Sequence, residues 1–120
     1  MTKRTRADYL RWLQPHDLRG RNLRYSLLTL LWQAGRPCSI TELVRQLEEL
    51  GLVIGGANPV KTVGDVLRWE TTKGRVVRVG RGRYEALPRP ESTTRRHATR
   101  LRDLVDEGRR RRQAAADDAA

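Results

Sequence analysis

Between Val76 and Leu87 the apolar residues of this chain recur with a period of two, and no other feature limits the available folds so sharply. Val76-Val77-Arg78-Val79 and Arg83-Tyr84-Glu85-Ala86-Leu87 flank Gly80-Arg81-Gly82. Val77 and Val79 alternate with Arg78, and Tyr84 and Ala86 alternate with Arg83 and Glu85. Each segment therefore has one face for a core and one for solvent. The glycine pair permits the positive φ angles of a tight turn and puts Arg81 at its tip. The expectation is a two-stranded β-hairpin, closed by Pro88 and Pro90.

The segments before the hairpin have the helical period instead. A first helix is expected from about Asn22 to Ala34, with Leu27, Leu30, Leu31 and Ala34 on one face, ended by Gly35 and Pro37. A second begins at Ser39, where Ser39-Ile40-Thr41-Glu42 has the spacing of a capping box, and runs through Leu43, Val44, Leu47 and Leu50 to Gly51. Leu52-Val53-Ile54-Gly55-Gly56-Ala57 reads as an extended connection. Asn58 then caps a third helix with Pro59 at its first position, and Val60, Val63, Val66 and Leu67 supply its apolar stripe. Gly64 weakens that helix by about 1 kcal/mol relative to alanine, which points to a close packing contact there. Gly74 ends the segment. The fold class expected is mainly α with a small β-hairpin.

At 120 residues the chain has room for one core. Residues 1–22 read as a basic arm with a short docked helix over Ala7 to Gln14, where Tyr9, Leu10, Trp12 and Leu13 cluster before Pro15. Residues 23–87 form the domain, and 88–120 a charged helix and tail. In that last segment Ala98, Leu101, Leu104 and Val105 make a thin stripe followed by Arg109 to Arg112, which suggests a marginal helix standing away from the domain and fraying. Ala98, Leu101 and Val105 also have coiled-coil spacing for little more than two turns. A stable coiled coil sustains about three to four heptads, so the expectation is a free monomer or a weak homodimer through this helix.

The chain carries 25 basic against 14 acidic residues, a formal charge of +11 and a pI near 11.3. No single segment accounts for this excess, because residues 1–22 and residues 23–87 each contribute +4. Such a surface attracts polyanions and gains affinity by releasing their condensed counterions. Arginine far outnumbers lysine, which suits bidentate phosphate and guanine contacts but follows equally from a GC-rich genome. One cysteine, Cys38, excludes an internal disulfide and a multi-cysteine zinc site. A basic start without a following apolar run, and no stretch near 18 apolar residues, leads to the expectation of a cytoplasmic, nucleoid-associated protein with no membrane partner, cofactor or metal.

Three helices followed by a hairpin, over residues 23–87, reproduce the element order of a winged helix-turn-helix domain. Pro59-Val60-Lys61-Thr62-Val63, Leu67-Arg68-Trp69-Glu70 and Arg78-Val79-Gly80-Arg81-Gly82-Arg83-Tyr84 resemble the HARE-type winged helices and their bacterial, actinobacterial-like relatives, which occur in restriction, transcription and chromatin-associated proteins. The recognisable pieces are the Lys-Thr pair and the Gly-x-Gly-x-Tyr hairpin. The resemblance implies DNA binding and specifies no target sequence.

On the third helix Lys61, Asp65, Arg68 and Thr72 follow helical spacing, with Thr62 beside Lys61, and form a polar face opposite Val63 and Leu67. That face suits a major groove. Lys61 and Arg68 would read guanine edges or hold phosphates, Thr62 would meet a base edge, and Asn58 stands at the leading end. Asp65 would pair with Lys61 or Arg68, or accept from a cytosine amino group. Arg78, Arg81 and Arg83 would meet phosphate or the minor groove, and Arg4 and Arg6 add cations from the arm. An ordinary solvated helix face and charge-protected strands explain much of the same pattern, although they leave Arg81 without a role. Trp32 and Trp69 are expected in the core, since the chain has no phenylalanine.

An enzyme is not expected. His16 and His97 lie in polar segments without a patterned nucleophile or acid, Cys38 sits in a helix connection, and Gly80-Arg81-Gly82 lacks the strand-turn-helix context of a phosphate loop. The function expected is double-stranded DNA binding by a transcriptional regulator or nucleoid protein. The alternative is a protein-interaction winged helix whose basic face recruits an acidic partner, or a subunit of a larger nucleic-acid-processing complex.

Overall fold

A computed structural model describes residues 17–119 of the chain. Among these residues the elements run α1 (Gly20–Ala34), β1 (Cys38–Ser39), α2 (Ile40–Glu49), α3 (Pro59–Thr72), β2 (Val76–Gly80), β3 (Arg83–Ala86) and α4 (Glu91–Ala119). The architecture is mainly helical with a small antiparallel sheet. The short helix expected over Ala7 to Gln14, and Arg4 and Arg6, lie outside the described residues.

Helix α1 is the central element. Leu23, Leu27, Leu28, Leu30 and Leu31 are buried on it, and so are Ser26 and Thr29. Two hydroxyls on a buried helix must find acceptors, and they donate back along the helix, Ser26 to the Asn22 carbonyl at 2.8 Å and Thr29 to the Tyr25 carbonyl at 2.7 Å. Gly35 ends the helix at φ 63°, where its N–H reaches the Leu31 carbonyl.

The capping box at the start of α2 forms as its sequence dictates. Ser39 Oγ accepts from the Glu42 N–H at 3.0 Å and Glu42 Oε1 accepts from the Ser39 N–H at 3.2 Å. Leu43, Val44 and Leu47 carry the inner face. The connection after α2, expected to be extended from Leu52 to Ala57, bridges at Ile54 and bends over Gly55 to Ala57. Leu18 donates to the Val53 carbonyl and accepts from the Gly55 N–H, both at 2.7 Å, which makes a parallel bridge between Leu18 and Ile54 and buries both side chains.

The sheet has three strands in the order β1-β3-β2, not the two expected. Cys38 pairs with Tyr84 and Ser39 with Arg83, and the Ile40 N–H donates to the Gly82 carbonyl at 3.0 Å. Two residues, the second of them the capping serine itself, are too few to show a period of two, but their extended backbone satisfies the free edge of β3.

The inward face of β2 is also opposite to that expected. Val76 pairs with Ala86 and Arg78 with Tyr84, so Val76 enters the core while Val77 and Val79 face outward. Val-Val-Arg-Val fits either register, and Tyr84 with Cys38 on the neighbouring strands decides it, because a one-residue slip exchanges the faces. Register shifts between Arg78 and Gly80, leaving Val79 as the extra residue of a bulge.

Helix α4 does not stand away. It runs 29 residues and packs along α1, with Leu101 and Val105 buried in the common core. Tyr25 and His97 stack with ring centroids 4.0 Å apart, and Arg100 Nε donates to Asn22 Oδ1 at 3.0 Å. Near its far end Arg112 Nη1 donates to the Gly51 carbonyl at 2.8 Å. The stripe expected to serve a weak dimer is therefore occupied within the chain, since Leu101 and Val105 already face α1. Among the described residues no helix is long and apolar enough to cross a membrane.

Candidate nucleic-acid interface

Helix α3 begins where Asn58 holds an extended backbone and its Oδ1 accepts from the Lys61 N–H at 3.2 Å. The Asn58 carbonyl also accepts from the Thr62 N–H and from Thr62 Oγ1, each at 3.0 Å. Both residues are thus engaged in starting the helix, which leaves the Thr62 hydroxyl with acceptor capacity only. Val63, Gly64, Leu67 and Glu70 are buried, and this fixes which way α3 faces. Val60, expected in the same stripe, is exposed in the first turn of the helix.

Opposite the buried side, Lys61, Asp65 and Arg68 come together as their spacing requires. Lys61 Nζ lies 3.3 Å from Asp65 Oδ2, and Arg68 Nη2 donates to Asp65 Oδ1. The three side chains are 72%, 47% and 66% exposed, so this is a solvated cluster of net charge +1. Thr72 stands on the same face with its hydroxyl donating to the Arg68 carbonyl. The Gly64 backbone lies against Ile40, where an added Cβ would sit 3.4 Å from Ile40 Cδ1. That is van der Waals contact, looser than the close approach expected.

Trp69 is the main departure on this helix. It is 50% exposed rather than buried, and Lys73 Nζ lies 4.5 Å from its ring centroid. The place on the inner face is taken by Glu70, three residues after Leu67 and seven after Val63, at 1% exposure. Arg75 holds its carboxylate through Nε and through Nη2 at 3.1 Å, and Arg24 Nε lies 2.8 Å from Oε1, close but off the hydrogen-bond line. A buried carboxylate between two guanidiniums ties α1, the end of α3 and the approach to β2 together. Its signal was present in the helical spacing, but a charged residue in an apolar stripe is easily read as an interruption.

In the hairpin, Gly82 takes φ 64° and Arg81 stands exposed at the tip beside it. Arg83 is exposed on β3. Arg78 is exposed too, although its register puts it on the same side of the sheet as Tyr84. It lies beyond the edge of the core, and its Nε turns back to the Gly80 carbonyl at 3.1 Å. Strand β2 packs against α3, so the arginine-bearing hairpin and the exposed face of α3 belong to neighbouring elements.

Two residues outside this surface have settled environments. Cys38 is fully buried, its thiol pushed up by loss of solvation. His97, expected in a polar tail, stacks between Tyr25 and Trp32, with Nδ1 buried and without a hydrogen-bond partner. Burial first, then Arg96, Arg24 and Arg89, hold it below the ordinary histidine range, against a smaller opposing effect of Glu70. Trp32 lies at the edge of the core and donates its Nε1–H to the Leu87 carbonyl at 3.2 Å.

Comparison with family models, curated proteins and solved structures finds no match to this chain.

Proposed function

We propose that the chain is a winged helix-turn-helix protein that binds double-stranded DNA, with α3 entering the major groove and the hairpin arginines meeting phosphate or the minor groove. The role that fits is that of a transcriptional regulator or nucleoid-associated protein. One observation carries the reading: the solvated face of α3 bears Lys61 and Arg68, and the hairpin packed beside that helix bears exposed Arg78, Arg81 and Arg83. The order of helices α1 to α3 followed by β2 and β3, with β1 completing the sheet, is compatible with the winged helix. Long-range attraction from a net charge of +11 would speed encounter with the duplex.

The test is fluorescence anisotropy with a labelled random duplex and the matching single strand. Lys61→Ala, Arg68→Ala and Arg81→Ala should each weaken duplex binding, by about 1–3 kcal/mol where a base contact is lost. Equal affinity of all three variants and the parent would refute this use of the surface.

A second reading has its own observation. Trp69, Val77 and Val79 are all exposed, and apolar residues on the surface of a small domain suit a protein partner. In that case Trp69→Ala would abolish complex formation while the arginine variants left it intact.

A further inference from the structure

Asp65 is the one acidic side chain on the solvated face of α3, and it sits between two of the cations on which duplex binding is proposed to depend. A surface that only gripped phosphates would lose by this arrangement. The carboxylate repels phosphate oxygens, and it competes with them for Lys61 Nζ and Arg68 Nη2. Asn58, about two turns earlier, already caps the helix, so Asp65 is not required to start α3. As a helix-stabilising pair it is solvated on both sides, a setting in which such pairs contribute little.

The geometry does fit reading bases. A guanidinium anchored through one Nη to a carboxylate is drawn to that side and keeps its remaining N–H groups for the O6 and N7 acceptors of guanine. Each carboxylate oxygen in turn retains a lone pair that can accept from the N4 amino group of cytosine. Toward the acceptors on the major-groove edge, O4 of thymine, O6 of guanine and N7 of purines, a carboxylate presents lone pair to lone pair; the N6 amino group of adenine can donate to it, so the preference for G·C comes from the carboxylate together with the guanidinium beside it, which needs the O6 and N7 acceptors of guanine. The pair therefore penalises wrong edges as well as rewarding right ones.

We propose that Asp65 is a specificity-determining residue: paired with Lys61 and Arg68, it lowers sequence-independent affinity and selects duplexes that offer guanine and cytosine edges to α3. The inference rests on the duplex-binding reading above. It names the feature of the duplex that is recognised and the residue that discriminates.

The experiment is selection from a duplex library with a randomised centre, by the full chain and by Asp65→Asn and Arg68→Ala, with binding to the unselected pool measured for each. Asp65→Asn keeps the shape of an exposed side chain, so its melting curve should match that of the parent. The parent should enrich sites with at least one fixed G·C pair, favoured by roughly tenfold over A·T. Asp65→Asn should bind the unselected pool several-fold more tightly and lose that preference, while Arg68→Ala should lose the preference and bind the pool more weakly. An identical enriched motif from the parent and Asp65→Asn would overturn the inference, as would binding by the parent without any sequence preference. Retention of no duplex at all by the parent, seen before any sequencing, would instead overturn the duplex-binding reading and this inference with it.

Discussion

Replacing Glu70 with glutamine keeps the volume of the side chain and removes only its charge. The carboxylate is 1% exposed and is held by Arg75 and Arg24, which join the end of α3 to β2 and to α1. Removing one partner of a buried ion pair costs about 3–5 kcal/mol, because the charges left behind have lost their compensation. Here the guanidiniums remain 31% and 22% exposed and can turn partly into water, which puts the expected loss near the lower end, about 3 kcal/mol. For a domain of this size that lowers the melting temperature by roughly 10–25 °C. Urea and thermal unfolding followed by far-ultraviolet circular dichroism would measure it. A triple replacement, Arg24→Met with Glu70→Leu and Arg75→Met, should recover most of the loss, since an apolar substitute of similar volume need not be solvated. A loss below about 1 kcal/mol in Glu70→Gln would show that the triad does not tie these elements together.

Three further outcomes are expected. His97 holds its proton less tightly when folded than its ordinary value of 6.5 allows, so the unfolded chain binds more protons below that pH. Stability should thus be full above about pH 6.5 and fall as the pH drops below it, and His97→Phe should flatten that dependence; equal slopes would contradict the stacked, half-buried histidine. Gly64→Ala should raise stability by about 0.5–1 kcal/mol, because the helix gains propensity and the methyl meets Ile40 at ordinary contact distance; lower stability in urea would mean the helices approach more closely than this. Leu101→Ala should cost about 2–5 kcal/mol whereas deleting residues 113–120 should cost under about 0.5, and a neutral Leu101→Ala would mean that α4 is not docked on α1.

Much of the fold was legible where local chemistry acts alone. Ser39 with Glu42, Asn58 with Pro59, and Gly35 mark helix ends through hydrogen bonds made within a few residues, and the structure has those ends. The Lys61, Asp65 and Arg68 cluster was legible for the same reason, since three- and four-residue spacing on a helix is enough to bring side chains together. What escaped depends on distant partners. Val76 rather than Val77 turns inward because of Tyr84 and Cys38, and β1 is a strand only because β3 offers it an edge. Trp69 lies outside and Glu70 inside because Arg75, five residues later, and Arg24, 46 residues earlier in the chain, together supply the counter-charges that make burial of a carboxylate tolerable. Helix α4 looked marginal by composition, and its thin stripe of Leu101 and Val105 suffices only because α1 offers leucines on a second side. The use of the α3 and hairpin surface is a matter of partners, and no sequence pattern within the chain decides it.

The central claim is tested most directly by the salt dependence of duplex binding. If Lys61, Arg68, Arg78, Arg81 and Arg83 meet the phosphates or edges of one duplex, log K should fall linearly with log salt at a slope of roughly −3 to −5, and Arg81→Ala should reduce that slope by about 1. Affinity independent of salt, or a slope unchanged by Arg81→Ala and Arg83→Ala together, would contradict a DNA-binding role for α3 and the hairpin.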